Sequence, residues 1–234
     1  MKYFCKSFLV LMSLWSMAQP DLRVQTNEIR QVNELENIVR QFNYTRNVTP
    51  KELNVEGSAY LDEQFKEGIV ALTTGATYKK IPLRINVYNE EIEFRNPQGK
   101  IFNINNPASI RELIIGETKF IYADIRSNNE IKKVLAEVIE EGNISLLKHH
   151  RIRLTDSRPE QIHRPAQPPR FVRMPSEYLI RKEDGMAEPI KTEKDLLKIL
   201  PEKHEKIKAL LNQQKLSVKE EQDLATILRH LNGE

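Results

Sequence analysis

The residues best suited to chemistry in this chain are two adjacent histidines, His149 and His150, with His163 further along. Imidazole binds metal ions and exchanges protons near neutral pH. Adjacent residues of a strand point to opposite faces, so the pair could not readily bind one ion together. We therefore predict a solvated strand end and no metal site. An alternative that stays open is a hydrolase or metal-dependent enzyme that pairs one histidine with a distant carboxylate.

Two further pairs match catalytic arrangements only in part. Glu90 and Glu91 could act as paired carboxylates, but neighbours on a strand diverge, which favours an acidic turn rim. His204 and Glu205 begin like the zinc-protease helix, yet Lys208 stands where the second histidine is required. The sequence shows no nucleophile elbow, phosphate-binding loop or calcium loop. It predicts no cofactor and names no catalytic residue.

A basic stretch provides the marked charge asymmetry of the chain. Guanidinium groups bind phosphate and carboxylate through paired hydrogen bonds, so an acidic partner or a phosphate-bearing surface is one interpretation. A solvated strap is the other interpretation. Phe171 is the lone aromatic residue here, which argues against base stacking with nucleic acid. The arginines of this candidate contact surface are Arg151, Arg153, Arg158, Arg164, Arg170 and Arg173.

The first eighteen residues have the features of a cleavable secretory leader. Lys2 and Lys6 precede an apolar run, and small residues follow it before a cut between Ala18 and Gln19. The run is shorter than the roughly 20 apolar residues of a membrane span. We expect an exported chain, periplasmic or secreted, that keeps no integral span after cleavage.

Cleavage at this site changes the amino-acid composition and the net charge of the chain. It removes Cys5 and Trp15, the only cysteine and the only tryptophan, so the mature chain cannot form a disulfide or a cysteine-ligated metal site. Loss of Lys2 and Lys6 lowers the formal net charge from +3 to +1. This near-neutral balance gives no reason to expect a nucleic-acid partner.

The elements that must position these residues are mainly strands. Residues 81–88 alternate between aliphatic and other side chains, which is typical of a half-buried strand. Residues 96–99 supply a turn, because proline presets one backbone angle and glycine accepts the reversed one. Short apolar runs punctuated by glycines continue the pattern, so we predict an antiparallel β-domain over 57–157. Residues 130–141 fit a helix or a strand, and we favour the strand.

The flanking segments differ in character. Residues 19–56 form a polar lead in which 27–42 have helical spacing, either as one amphipathic helix or as a loosely packed lead-in. Five prolines among the arginines predict a strap over 158–176 that cannot enter a sheet interior. Residues 177–234 predict a last strand and three short helices. The fold class is α+β: mainly an antiparallel β meander, as an open or curled sheet, with a short helical C-terminus and a possible N-terminal helix.

Helix boundaries in the last segment are marked by capping residues. Thr192 with Asp195 predicts one capping box, and Ser217 with Glu220 predicts a second. Pro201 is expected at the start of the middle helix, where a missing amide costs little.

Several motifs give the chain a family resemblance. They are the Gly-Ser-Ala-Tyr-Leu sequence that begins at Gly57, the strand that ends in Tyr88-Asn89, the Glu-Gly-Asn-Ile-Ser-Leu-Leu sequence of 141–147, and residues 216–224. With them the chain resembles a family of uncharacterised secreted β-rich proteins from Bacteroidota-type bacteria. The third motif implies a hairpin at 141–143. The resemblance implies no activity, cofactor or site residue.

The leading functional hypothesis is a non-catalytic binding or accessory module of the cell envelope, whose partner is an unknown envelope protein. A second hypothesis is a carrier that holds an apolar small molecule or lipid inside a curved sheet. The hydrolase or metal-dependent enzyme based on His149 or His150 is the third.

Overall fold

The computed structural model describes residues 22–41, 55–104, 106–127, 130–160, 166–183 and 185–233. The leader, with Ala18 and Gln19, lies outside the described residues, as do His163 and Arg164. No helix within the described part of the chain is both long and apolar enough to span a membrane.

The chain is mainly antiparallel sheet with helices at both ends, so the predicted fold class is confirmed. The N-terminal helix predicted over 27–42 is present and begins earlier, at Leu22. The elements are α1 Leu22–Gln41, β1 Lys66–Leu72, β2 Thr77–Asn86, β3 Glu91–Arg95, β4 Ile101–Ile104, β5 Ile110–Ile115, β6 Thr118–Ser127, β7 Glu130–Glu140, β8 Ile144–Thr155, β9 Arg170–Lys182, β10 Ala187–Ile190, α2 Glu193–Ile199, α3 His204–Gln214 and α4 Glu221–Asn232, with short 3₁₀ turns at Pro107–Ser109 and Pro201–Lys203.

The ten strands of the described residues belong to one sheet, in the order β10-β9-β8-β7-β6-β5-β1-β2-β3-β4. Strand β10 also pairs with β6 in parallel, through Ala187 and Ile125. This pairing closes β6–β10 into a ring. Small and medium aliphatic side chains fill the ring, because facing strands leave little room between them: Ile121, Ala123, Ile125, Val134, Ala136, Leu147, Leu179 and Ala187.

Two larger apolar clusters cover the rest of the sheet. Strands β1–β5 enclose one cluster, in which Phe94 and Phe102 stack with ring centroids 5.2 Å apart and Leu35 of α1 is fully buried. The C-terminal helices bury the leucine stripes predicted from their sequence against β8 and β9. Apolar side chains of both partners, such as Leu146 and Leu228, are removed from water there.

The turn and strand predictions for the middle of the chain hold. Of the alternating residues 81–88, residues 81–86 belong to β2, and 87–88 lie in the turn that follows it. Gly99 of the later turn has a φ of 79°, a value that glycine accepts readily. Residues 130–140 form strand β7, not a helix. The hairpin expected at 141–143 joins β7 to β8.

The strap predicted over 158–176 is wrong at its C-terminal end. Residues 170–176 belong to β9, of which 170–174 pair with β8, and the sheet continues to Ile190, past the predicted boundary at 157. The strand tolerates Pro175 because the register of β8 and β9 shifts between His149 and Arg151, directly opposite it. A bulge is one of the few places where a sheet accepts a residue without an N–H. The last strand of the described residues is β10, which lies within the predicted range 177–234.

One of the two predicted capping boxes is present. The Thr192 hydroxyl accepts from the Asp195 amide, and the Asp195 carboxylate accepts from the Thr192 amide. Pro201 begins the turn that leads into α3, as predicted. The box at Ser217 and Glu220 is wrong, because α4 begins at Glu221 and its N-cap Glu220 makes no side-chain bond. Asp223 instead accepts from the Ser217 amide.

Candidate functional site

The segment 55–65 crosses over the sheet and builds one wall of a cleft. Its backbone pairs with β2, where the Leu61 amide donates to the Ile85 carbonyl at 3.0 Å and the Val87 amide donates to the Ala59 carbonyl at 2.8 Å. Gly57 begins this path with a φ of 77°, and a Cβ there would lie 2.6 Å from the Phe171 carbonyl oxygen. The glycine of the Gly-Ser-Ala-Tyr-Leu motif is thus required by backbone geometry.

A buried ion pair fixes this segment to the sheet. The Arg84 Nη2 lies 2.6 Å from the Glu93 Oε2, and the side chains are only 13% and 1% exposed. The two residues face each other across β2 and β3. Arg84 also donates to the Tyr60 hydroxyl and to the Glu63 carbonyl, and its guanidinium carbon lies 3.9 Å from the Tyr60 ring centroid. One side chain therefore positions the strand pair and the crossing segment together.

Arg173 of β9 holds the same segment from the other side. Its Nη2 donates to the Tyr60 carbonyl at 3.0 Å and to the Leu61 carbonyl at 2.6 Å. Burial and the neighbouring Glu93 carboxylate raise the pKa of Tyr60 to about 12. The Tyr60 hydroxyl therefore keeps its proton at neutral pH and donates to Glu93 at 3.2 Å.

Between this wall and the sheet lies a cleft of about 160 Å³. Its floor is apolar, with Leu83, Ile85, Ile115 and Phe120. Its rim is polar, with Asp62, Gln64, Lys66, Arg84 and Thr118 around Leu61. A second, much smaller cavity adjoins it and shares Leu61, Ile85 and Phe120. An apolar floor below a few polar groups is the usual form of a small-molecule site.

Glu90 and His150 line the smaller cavity. The His150 Nε2 lies 2.6 Å from a Glu137 carboxylate oxygen, so this histidine is held by a carboxylate from the neighbouring strand. A neutral imidazole that donates from Nε2 presents Nδ1 as an acceptor. The pair can therefore orient a donor group at the smaller cavity.

His149 faces a different set of charged groups. Its Nε2 lies 3.5 Å from Glu90 and its Nδ1 lies 3.8 Å from Glu177. Lys132 reaches the same Glu90 oxygen at 2.7 Å. The Glu90 Oε2 and the His149 Nδ1 are buried without a hydrogen-bond partner among the described residues. This cluster joins the β2–β3 turn to the ring, so the two histidines contact separate carboxylates, as the strand geometry predicts. The predicted solvated strand end is wrong, because both histidines lie within β8 and His149 is only 7% exposed.

The structure separates the arginines predicted as one surface. Arg151, Arg153, Arg158, Arg170 and Arg173 are all exposed, but the Arg173 guanidinium is bound to the crossing segment. Within the described ranges, no group of three or more His, Cys, Asp or Glu side chains could hold a metal ion. The His204 Nδ1 lies 3.1 Å from the carboxylate of its neighbour Glu205. Asn89 and Asn103 donate to the Glu91 carboxylate, whereas Glu90 contacts Lys132 and His149.

No protein-family model, curated protein or solved structure matches this chain. The assignment of the candidate site therefore rests on its geometry in this structure. Sequence reasoning missed Tyr60, Arg84 and Glu93 as a unit. The signal was available in the β2–β3 hairpin, since a register that pairs Leu83 with Phe94 also pairs Arg84 with Glu93.

The two adjacent glutamates should affect the pH dependence of stability in opposite directions. Burial raises the pKa of Glu90, but His149 and Lys132 outweigh it, and the net pKa lies below the ordinary value of 4.5. Burial raises the pKa of Glu91 above 4.5. Glu90 therefore contributes stability above pH 4.5 that is lost as the pH falls through its lowered pKa. Glu91 contributes stability below pH 4.5 that is lost as the pH rises through its raised pKa.

Urea unfolding of Glu90→Gln and Glu91→Gln between about pH 3 and 7 tests this. Relative to wild type, Glu90→Gln should lose more stability at neutral pH than at acid pH. Glu91→Gln should lose less stability at neutral pH than at acid pH. Glu188→Gln, at an exposed position of β10, is the control. Parallel profiles for the two variants would contradict the assignment.

Proposed function

We propose that this chain is an exported, non-catalytic binding protein of the cell envelope that takes a small ligand with an apolar body into the cleft beneath residues 59–66. The observation that supports this is the cleft itself: an apolar floor on rigid strands and a wall fixed by Arg84 and Arg173. Because the wall is pre-formed, less free energy of binding is lost in ordering the site.

The size of the cleft limits the ligand class. A cavity of about 150 Å³ accommodates benzene, whereas drug-sized ligands occupy roughly 300–1,000 Å³. The cleft, at about 160 Å³, fits a single ring or a short aliphatic group rather than a whole lipid. The polar rim, with Lys66, Asp62 and Arg84, favours a polar end on the same ligand. The geometry thus favours a small amphipathic molecule over the lipid of the carrier hypothesis.

The cleft can be tested by filling it. Ile115→Trp places a large ring on the floor and should weaken binding of indole, phenol or hexanoate at least tenfold. Ile131→Trp is the matched control, because Ile131 is 64% exposed and lies outside the cleft lining. Titration calorimetry, together with native mass spectrometry of the wild-type protein, measures the effect. Equal binding to Ile115→Trp and wild type, or a wild type that carries and binds nothing, would contradict the proposal.

Export is the second part of the proposal, and it is supported by the charge and hydropathy pattern of residues 1–18. Membership of the secreted Bacteroidota-type family is a further part of the proposal, and it is supported by the turn motifs at 57 and 141. Protein recovered from the periplasmic fraction should have the mass of a chain whose first residue is Gln19. An intact Met1 on protein recovered from the cytosol would contradict it.

A further inference from the structure

The hairpin of β8 and β9 extends beyond the ring and has two different faces. Residue pairs across it are Ile152 with Arg173 and Leu154 with Phe171. Ile152, Leu154 and Phe171 pack against Ala59 and Tyr60, so this face is covered by the crossing segment. Strand side chains alternate, and the intervening residues therefore form the opposite face.

That opposite face is basic and exposed. Arg151, Arg153 and Arg170 are all exposed, and none of the three forms an ion pair with an acidic side chain in the described part of the chain. Their cross-strand partners are Met174, Val172 and Thr155, respectively. These partners are half-buried and give the face an apolar centre between the charges. We call the six residues the arginine face.

The composition of the arginine face distinguishes directed from diffuse attraction. Lysines are common on this protein, and exposed ones such as Lys132 and Lys133 form ion pairs. The arginine face contains no lysine. Lysine would provide a general positive charge equally well. The planar guanidinium of arginine, in contrast, binds a carboxylate through two parallel hydrogen bonds. Arginine and methionine are also enriched in the cores of protein interfaces.

The spacing points to an extended ligand. Arg151 and Arg153 are two residues apart on one strand, which is a separation of roughly 6.6 Å. Carboxylates two residues apart on an extended peptide have the same separation. Arg170 lies on the neighbouring strand, one step diagonally from Arg153, and can bind a third carboxylate. We propose that the arginine face binds an extended acidic segment of a partner protein, with alternate carboxylates paired to the three guanidinium groups.

The test uses the full mature chain and a synthetic decapeptide of alternating Glu and Thr, with binding followed by fluorescence anisotropy at low salt. The triple variant Arg151→Gln, Arg153→Gln, Arg170→Gln should weaken peptide binding at least tenfold. The corresponding triple lysine variant should weaken it several-fold although it keeps the charge. The matched control is the triple Lys→Gln variant at Lys191, Lys194 and Lys198, which are exposed and far along the chain; it removes the same charge and should bind normally.

Several outcomes would overturn the proposal. They are the absence of peptide binding by the wild type, equal losses in the arginine and lysine-control variants, and full binding by the triple lysine variant. Binding to phosphatidylglycerol vesicles in place of the peptide would assign the face to a membrane instead. None of these variants changes the cleft lining, so indole binding reports on the proposed function separately.

Discussion

Glu93→Ala is expected to lower the free energy of unfolding by about 3–5 kcal/mol, because it leaves a buried guanidinium without its counter-ion. Arg84 is 13% exposed, and Glu93 supplies the carboxylate that neutralises it. Tyr60 also loses an acceptor for its hydroxyl. Urea unfolding followed by circular dichroism measures the loss.

Two comparisons make this prediction specific. The double variant Arg84→Met, Glu93→Leu removes both charges and should recover most of the stability, since a buried pair replaced by apolar residues is often neutral. Glu34→Ala breaks the exposed Arg30–Glu34 pair and should cost only about 0.3–0.5 kcal/mol. If Glu93→Ala costs no more than Glu34→Ala, then the ion pair does not hold the segment.

Loss of the pair should also affect the cleft. Arg84 bonds to Tyr60 and Glu63 within the wall, so the single variant Glu93→Ala should lose indole binding. The double variant should regain stability without regaining binding, because methionine cannot donate to the wall. This result would separate the contribution of Arg84 to stability from its contribution to the site.

Gly68→Ala is expected to lower the free energy of unfolding by about 1–3 kcal/mol, although it adds only one methyl group. A Cβ at residue 68 would lie 2.3 Å from the Ile114 carbonyl oxygen and 2.6 Å from the Leu83 Cδ1. The oxygen belongs to β5, which pairs with β1, so the clash cannot be relieved without moving a strand. Leu83 lies in the cleft floor, and its displacement should also weaken indole binding.

The control for this prediction is Gly233→Ala, after the end of α4. There the nearest heavy atom, the Arg229 carbonyl oxygen, lies 3.5 Å from the added Cβ, which is an ordinary contact. Thermal unfolding of both variants measures the difference. Adding Leu83→Ala to Gly68→Ala should not restore stability, because the main-chain clash remains. A full rescue would show that only the side chain obstructs.

Local patterns predicted much of the sheet. The alternation in 81–88, the glycine turn at 96–99 and the motif at 141–147 each specify a strand or a reversal through near neighbours, and these elements are present. The capping box at Thr192 is of the same kind, since four residues contain both partners. Ser217 failed because a residue further along, Asp223, competes for its amide.

The strap shows where composition misled. The prolines of residues 158–176 led us to predict that this segment cannot enter a sheet. That rule applies only at positions where the backbone N–H must donate to a neighbouring strand. At Pro175 two residues of β9 lie opposite the single residue His150 of β8; this bulge removes that need, and it depends on the pairing with the partner strand. No property of residues 158–176 alone contains this information.

The sequence by itself determined the antiparallel strands, most of their turns and the three C-terminal helices, because these depend on contacts between residues close in the chain. Only the tertiary structure decided that β10 closes onto β6, that the arginines divide between two faces, and that Tyr60, Arg84 and Arg173 form one wall of a cleft. The physical reason is that these arrangements join residues that lie far apart in the chain. Their partners are selected by the packing and charge of the whole fold, which a local pattern does not encode.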